Sequence, residues 1–141
     1  MLVVGSRYPN NAKTEILSGA WSWTESTTYP FHESISYSPI LFLRSTFYVF
    51  GGYTDKEVST IATFNPKSEK WTKLGDLETA RNAHGVIAFQ DYLLVLGGNN
   101  HKMTEKCTLS ENAIYCNSTD QKLYAFAHYP LLTMVDSDIC D

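Results

Sequence analysis

Apolar positions in this chain fall in short runs, each closed by glycines or by a polar turn. The clearest case spans residues 47–71, FYVFGGYTDKEVSTIATFNPKSEKW. The apolar run 47–50 ends in Gly51-Gly52, a charged loop fills 53–59, and a second β-rich run over 60–64 ends at Phe64. A turn-rich stretch, 65–70 (NPKSEK), then leads to Trp71, which opens an outer strand over 71–74. Without a Cβ, Gly51 and Gly52 let the first strand end in a tight, close-packed bend. Trp71 offers a large apolar face to fill the space between neighbouring sheets. With an apolar run over 34–43, interrupted by Pro39, placed before it, the stretch predicts one four-stranded antiparallel blade.

The punctuation recurs. Gly97-Gly98 closes the run 92–96 (YLLVL) and Gly5-Ser6 closes 2–4, so that strand ends at 5, 51 and 97 are 46 residues apart. Short strands repeating on such a period are the mark of propeller repeats. On Gly51-Gly52, Phe64 and Trp71, on Arg81 with His84-Gly85, and on Gly97-Gly98, the chain resembles kelch repeat proteins. That resemblance implies an all-β, kelch-like β-propeller of about three four-stranded antiparallel blades, with repeats at approximately 1–45, 46–91 and 92–141. Repeat one carries Gly5-Ser6 with Ile16 and Trp21 or Trp23 in the later positions, and repeat three has no Trp after Gly98.

Strands of blade one are expected at 2–4, 14–17 and 20–24, with Trp21 and Trp23 alternating onto one side as core residues. Blade three is expected to open at 84–89, continue at 92–96 and, after a loop over 99–104, finish with a hairpin of 105–109 and 114–118. One spare strand, 131–135 (LLTMV), would begin the next blade or complete the first. Propellers usually close with four to eight blades. Three blades would leave unpaired outer faces, which implies a portion of a longer propeller or a ring completed by self-association, the alternative being a free-standing stack. Connections within the first and last strand pairs are short and the others long, so one rim is expected to carry the variable, recognition-bearing loops.

Composition narrows the reading. With 43 % hydrophobic and 18 % charged residues the chain is globular in type. A formal charge of −4 and eleven scattered basic residues disfavour nucleic acid. Apolar runs of about five or six residues fall far short of a membrane span, and the first residues, MLVVGSRYP, read as a strand in progress and not as a signal peptide.

Repeat three has two cysteines where the Trp is missing. If Glu111-Asn112 is the turn, Cys107 falls opposite Cys116 as a non-hydrogen-bonded pair with Cα atoms about 4.5 Å apart, within disulfide reach. A cross-strand disulfide would then hold the blade in place of the Trp, the alternative being two buried thiols. Asn117-Ser118-Thr119 fits the N-glycosylation pattern, and with the cysteine pair it tilts the chain towards an extracellular setting, with a cytoplasmic one as the alternative. Cys140 is left without a mate in this count.

No metal-binding, phosphate-binding or nucleophile motif occurs among these residues: there is no HExxH, CxxC or GxSxG, and the glycine pairs are not followed by helices. His84 is expected to be a hydrogen-bonded structural residue and not a general base, and Arg81 to tie one blade to the next. The chain therefore reads as a non-catalytic protein-binding module, a kelch-type scaffold or adaptor without cofactor or metal. Its partner would be a protein or peptide, gripped by rim residues Tyr8, Tyr53, Asp55, Lys56, Asn99, Asn100, His101 and Lys102. The alternative is part of a secreted carbohydrate-active or copper-oxidase-like propeller enzyme, which would need Tyr, His and Cys side chains converging on one axis.

Overall fold

The computed structural model describes residues 2–4, 12–17, 21–89, 91–99 and 101–123. Within them every regular element is a strand, and no helix is long and apolar enough to cross a membrane. Eleven strands form three antiparallel sheets. The first holds β1 (Leu2–Val4), β2 (Thr14–Leu17) and β3 (Trp23–Glu25). The second holds β4 (Ile40–Leu43), β5 (Thr46–Tyr53), β6 (Glu57–Asn65) and β7 (Lys70–Asp76). The third holds β8 (Gly85–Phe89), β9 (Tyr92–Leu96), β10 (Met103–Leu109) and β11 (Ile114–Lys122). Strand order follows the sequence in each, so the sheets are up-and-down blades with three, four and four strands, as expected. The expected spare strand at 131–135, Gly5-Ser6, Tyr8, Asn100 and Cys140 lie outside the described residues.

The 46-residue period is a register. In blade two Phe42 pairs with Phe47, Phe47 with Phe64, and Phe64 with Trp71. In blade three Ala88 pairs with Leu93, Leu93 with Cys107, and Cys107 with Cys116. Cys107 and Cys116 thus stand in the places of Phe64 and Trp71. The blade-one equivalents are Leu17 and Trp23, paired across β2 and β3. Of the two tryptophans offered for that place, Trp23 holds it; the partner is Leu17, not Ile16.

Blades pack through two apolar clusters. Phe50 and Ile61 of blade two meet Leu93, Val95, Cys107 and Ile114 of blade three, with Leu77 from the connection between them. Tyr29, Ile35, Val58 and Ala62, backed by Trp71, form the cluster shared with Ala12 and Val4 of blade one. Trp71 does fill the space between sheets: its ring packs on Phe64 and edge-on against Tyr29, at centroid distances of 5.0 and 4.9 Å. Its Nε1–H donates to Thr14 Oγ1 at 3.2 Å, across the blade boundary.

Several expectations are corrected. Gly51 and Gly52 do not end a strand; they form a bulge inside β5, where the register shifts between Phe50 and Gly52. Both have positive φ; a Cβ on Gly51 would lie 2.6 Å from the Arg81 carbonyl oxygen of the next connection, and one on Gly52 would run into Ser38, Ile35 and Ser36 of the preceding one, so close approach from both sides requires the pair. The loop expected over 53–59 contracts to residues 54–56, because β6 starts at Glu57 and pairs with Tyr53. Likewise β10 starts at Met103, within the loop expected over 99–104. Trp21 and Trp23 are not core residues: they are 86 % and 45 % exposed. The cause is directional. Thr14 of β2 points at blade two, so Leu17, an odd three residues further along the strand, and its partner Trp23 point to the opposite face, where none of the described residues forms a further blade.

Candidate functional site

The variable rim gathers at the junction of blades two and three. It is built from the connection 26–39, the turn 54–56, the connection 77–84 and the loop residues 97–99 and 101–102. Beneath it, Arg81 and Glu105 form a fully buried ion pair, Nη2 to Oε1 at 2.6 Å. Arg81 Nη1 donates to the carbonyls of Gly97 (3.0 Å) and Met103 (2.9 Å), and Glu105 accepts from the backbone N–H of Glu78 and Thr79. Arg81 therefore holds the 77–84 connection to blade three, while its own carbonyl accepts from Gly52 N–H of blade two. The expected role of Arg81 is what the geometry shows. Glu105, its partner, was legible only as an outer-strand residue.

On the surface, Glu57 links the two blades. Its Oε1 accepts from Asn82 Nδ2 at 2.9 Å, and its Oε2 lies 3.1 Å from His101 Nε2. That contact brings the 54–56 turn beside Asn99, His101 and Lys102, so Asp55 and Lys56 adjoin them, with Tyr53 at the end of β5. The Asn82 carbonyl accepts from Asn99 N–H, which fixes the base of the second loop. Asp55 accepts from Thr54 Oγ1 at 2.7 Å, and this hydrogen bond, more than any other cause, holds its carboxyl below the usual range. Beside the turn, His32, Glu33, Ser34, Thr54 and Asp55 line an open polar recess of about 400 Å³. Burial, then the charge of Lys73, lowers the pKa of His32, whose Nε2 lies 3.2 Å from Thr60 Oγ1.

His84 is buried, as a structural residue would be, yet neither ring nitrogen has a hydrogen-bond partner among the described residues. Burial, reinforced by the charges of Arg81 and His101, lowers its pKa to about 3. The imidazole is thus neutral at pH 7 and a poor proton acceptor. The expectation of a hydrogen-bonded His84 is corrected on that point: the ring edge lies beside Gly51, and the His84 Cβ beside Gly98.

Cys107 and Cys116 lie opposite one another with Cα atoms 4.0 Å apart and sulfurs at disulfide distance, 2.06 Å. The Ser110 N–H to Ala113 carbonyl bond closes the turn around Glu111-Asn112. Glu105 brings a carboxylate oxygen within 4.8 Å of both sulfurs, the one such donor group among the described residues. Its oxygens already accept from Arg81, Glu78 and Thr79. Asn117 is exposed on β11, the edge strand of its sheet. The signals for Glu57, Asn82 and Glu105 were absent from motif reading because each acts through a partner more than twenty residues away.

No family model matches the chain. Among curated proteins it is similar to Kelch-like protein 15 of Homo sapiens, 28 % identical over 96 residues, which cover 61 % of this chain and 15 % of that protein. The same protein of Danio rerio is 28 % identical over 104 residues, 67 % of this chain and 16 % of the relative. Alpha-scruin of Limulus polyphemus is 34 % identical over 74 residues, 46 % of this chain and 8 % of the relative. The chain thus spans a small part of the length of each. Taken with four-stranded blades on a 46-residue register, these similarities support a kelch repeat family for this chain.

Proposed function

We propose that the chain is a non-catalytic protein-binding module that grips a protein or peptide partner with the rim loops at the junction of blades two and three. The observation that carries this reading is the Glu57 to His101 contact, which joins loops from two blades into one polar surface. Beneath it the buried Arg81 and Glu105 pair keeps the blades at a fixed spacing. Side chains on loops over a rigid scaffold recognise partners at small ordering cost. Similarity to Kelch-like protein 15 and alpha-scruin supports a scaffold role. The disulfide distance of Cys107 and Cys116 and the exposed Asn117 support an extracellular setting, where both modifications would form.

A displayed random-peptide library selected on the whole chain tests the rim. Peptides recovered on the native chain are expected to lose at least about tenfold in affinity to a variant combining Asp55→Ala, Lys56→Ala and Lys102→Ala, as truncation of contact side chains does. The variant should keep its melting temperature. Equal binding to native and variant chains would refute the rim as the binding surface.

A further inference from the structure

The connection that enters blade two is fixed at two buried points, Tyr29, packed on Phe31 and Trp71, and Ile35. Between them His32, Glu33 and Ser34 stay at the surface. The His32 ring stacks on Tyr29, and its Nε2 lies 3.2 Å from Thr60 Oγ1 of β6. Further on, Ser36 exchanges two backbone hydrogen bonds with Tyr53, of 3.0 and 2.8 Å, which seats the connection on the end of β5. The turn after Tyr53 is closed by Thr54 N–H, which donates to the Lys56 carbonyl at 2.9 Å. Two polar walls, 32–34 and 54–55, therefore enclose the open recess of about 400 Å³. Both are anchored to blade two, so their spacing is set by that blade.

The lining is polar on both walls, and its only charges are negative. Asp55 is kept ionised by the hydrogen bond from Thr54 Oγ1. Neither Asp55 nor Glu33 forms an ion pair among the described residues, whereas Glu25, Asp76 and Glu105 are matched by Lys13, Lys73 and Arg81. His32 adds no positive charge at pH 7, because burial and then Lys73 lower its pKa from the ordinary 6.5. Lys56 follows Asp55 in the turn, but it is exposed and stands outside the lining, where salt screens it. Ser34 and Thr54 place hydroxyl oxygens on the two walls. The space is at the small end of ligand pockets, which suits a single long side chain. A guanidinium matches this set of acceptors best. It donates N–H groups all round a plane, pairs with carboxylates through two parallel bonds, and is less strongly hydrated than an ammonium, so it loses less on entering.

We infer that the recess receives an arginine side chain of the protein partner, with Glu33 of one wall and Asp55 of the other as its counter-charges. The inference rests on the rim-binding reading and adds the chemistry of one contact to it. The guanidinium donates to the two carboxylates, and the Ser34 hydroxyl is a further acceptor. An acidic side chain at the same point would be repelled by both walls, so the recess also selects against acidic segments.

Titration of the whole chain with N-acetylarginine amide, followed by amide chemical shifts, tests the recess without any partner. Saturable shifts are expected at His32, Ser34, Thr54 and Asp55. N-acetylcitrulline amide, of the same shape but uncharged, should bind at least about tenfold more weakly. The variant Glu33→Gln with Asp55→Asn keeps the shape of both side chains and should keep the melting temperature, yet lose at least about tenfold in affinity for the arginine probe. Shifts confined to other residues, an equal response to the citrulline probe or to N-acetyllysine amide, or an affinity indifferent to the double variant would overturn the inference. The rim is tested apart from it by the displayed peptides. Peptides that need Lys102 but hold no arginine and ignore Glu33→Gln would overturn the recess and leave the rim standing. Peptides indifferent to Lys102→Ala, beside a positive arginine titration, would count against the rim alone.

Discussion

Glu105 is a carboxylate with no exposed surface, and it is stable there because three donors converge on it: Arg81 Nη2, Glu78 N–H and Thr79 N–H. Removing one partner of such a pair strands the other charge in a medium that solvates it poorly. Glu105→Ala should therefore lower stability by about 3–5 kcal/mol, read from the urea midpoint at unchanged slope. Arg81 would keep its bonds to the Gly97 and Met103 carbonyls but lose its counter-charge. His84 adds a pH term. Its folded pKa, about 3, lies below the ordinary value of 6.5, so between these values the unfolded chain binds the proton more readily. Stability from this residue is complete above pH 6.5 and declines as the pH falls towards 3. Between pH 6.5 and pH 5, before most carboxylates titrate, the native chain should lose up to roughly 2 kcal/mol from this source, at about 1.4 kcal/mol per pH unit. His32, also lowered, works in the same direction. His84→Gln should be less stable at pH 7 but lose less on acidification; an equal loss in both chains would exclude His84 as the source.

At the scale of elements, the β10–β11 hairpin is where blade three replaces an aromatic pair by a covalent one. Cys107 and Cys116 enclose a short loop, for which the chain-entropy estimate is about 2–3 kcal/mol. Alkylation without reductant should leave both thiols unlabelled, and reduction should lower the urea midpoint by that free energy while the Cys107→Ala, Cys116→Ala chain is insensitive to reductant. This hairpin was legible in advance because a two-residue turn fixes the register on both sides, and Thr108 opposite Tyr115 and Leu109 opposite Ile114 follow from the same count. The period was legible for a related reason: Phe47 and Leu93 keep equivalent places because β4–β5 and β8–β9 have equal turns. What could not be read was how blades meet. Gly51-Gly52 signals a backbone anomaly without saying that the strand continues through it, and the direction of Trp23 depends on which face the neighbouring blade covers. Nor could the residue that joins the 54–56 turn to His101 be read in advance, because Glu57 belongs to a strand.

For the whole molecule, neighbour contacts between blades decide how cooperatively it unfolds, since each blade meets only those beside it. The boundary of blades two and three has a tight point at Gly75, where β7 passes the backbone of Ile114; an added Cβ would collide with the Ile114 carbonyl oxygen. A backbone oxygen cannot rotate away as a side chain can, so Gly75→Ala must push β11 from β7 or bend one of them, at a cost of about 1–3 kcal/mol. The boundary of blades one and two, closed by Trp71, Tyr29 and Thr14, is untouched by that change. Amide exchange of the Gly75→Ala chain should therefore quicken in Gly85–Phe89, Tyr92–Leu96 and Met103–Leu109 while Thr46–Tyr53 and Glu57–Asn65 keep more of their protection. Such a split would show that blade three opens as a unit hinged on the 77–84 connection, where Arg81 and Leu77 still hold it. A uniform rise across both blades would mean instead that the two form one cooperative block, and that the apolar cluster around Phe50 and Leu93 outweighs the backbone contact at Gly75.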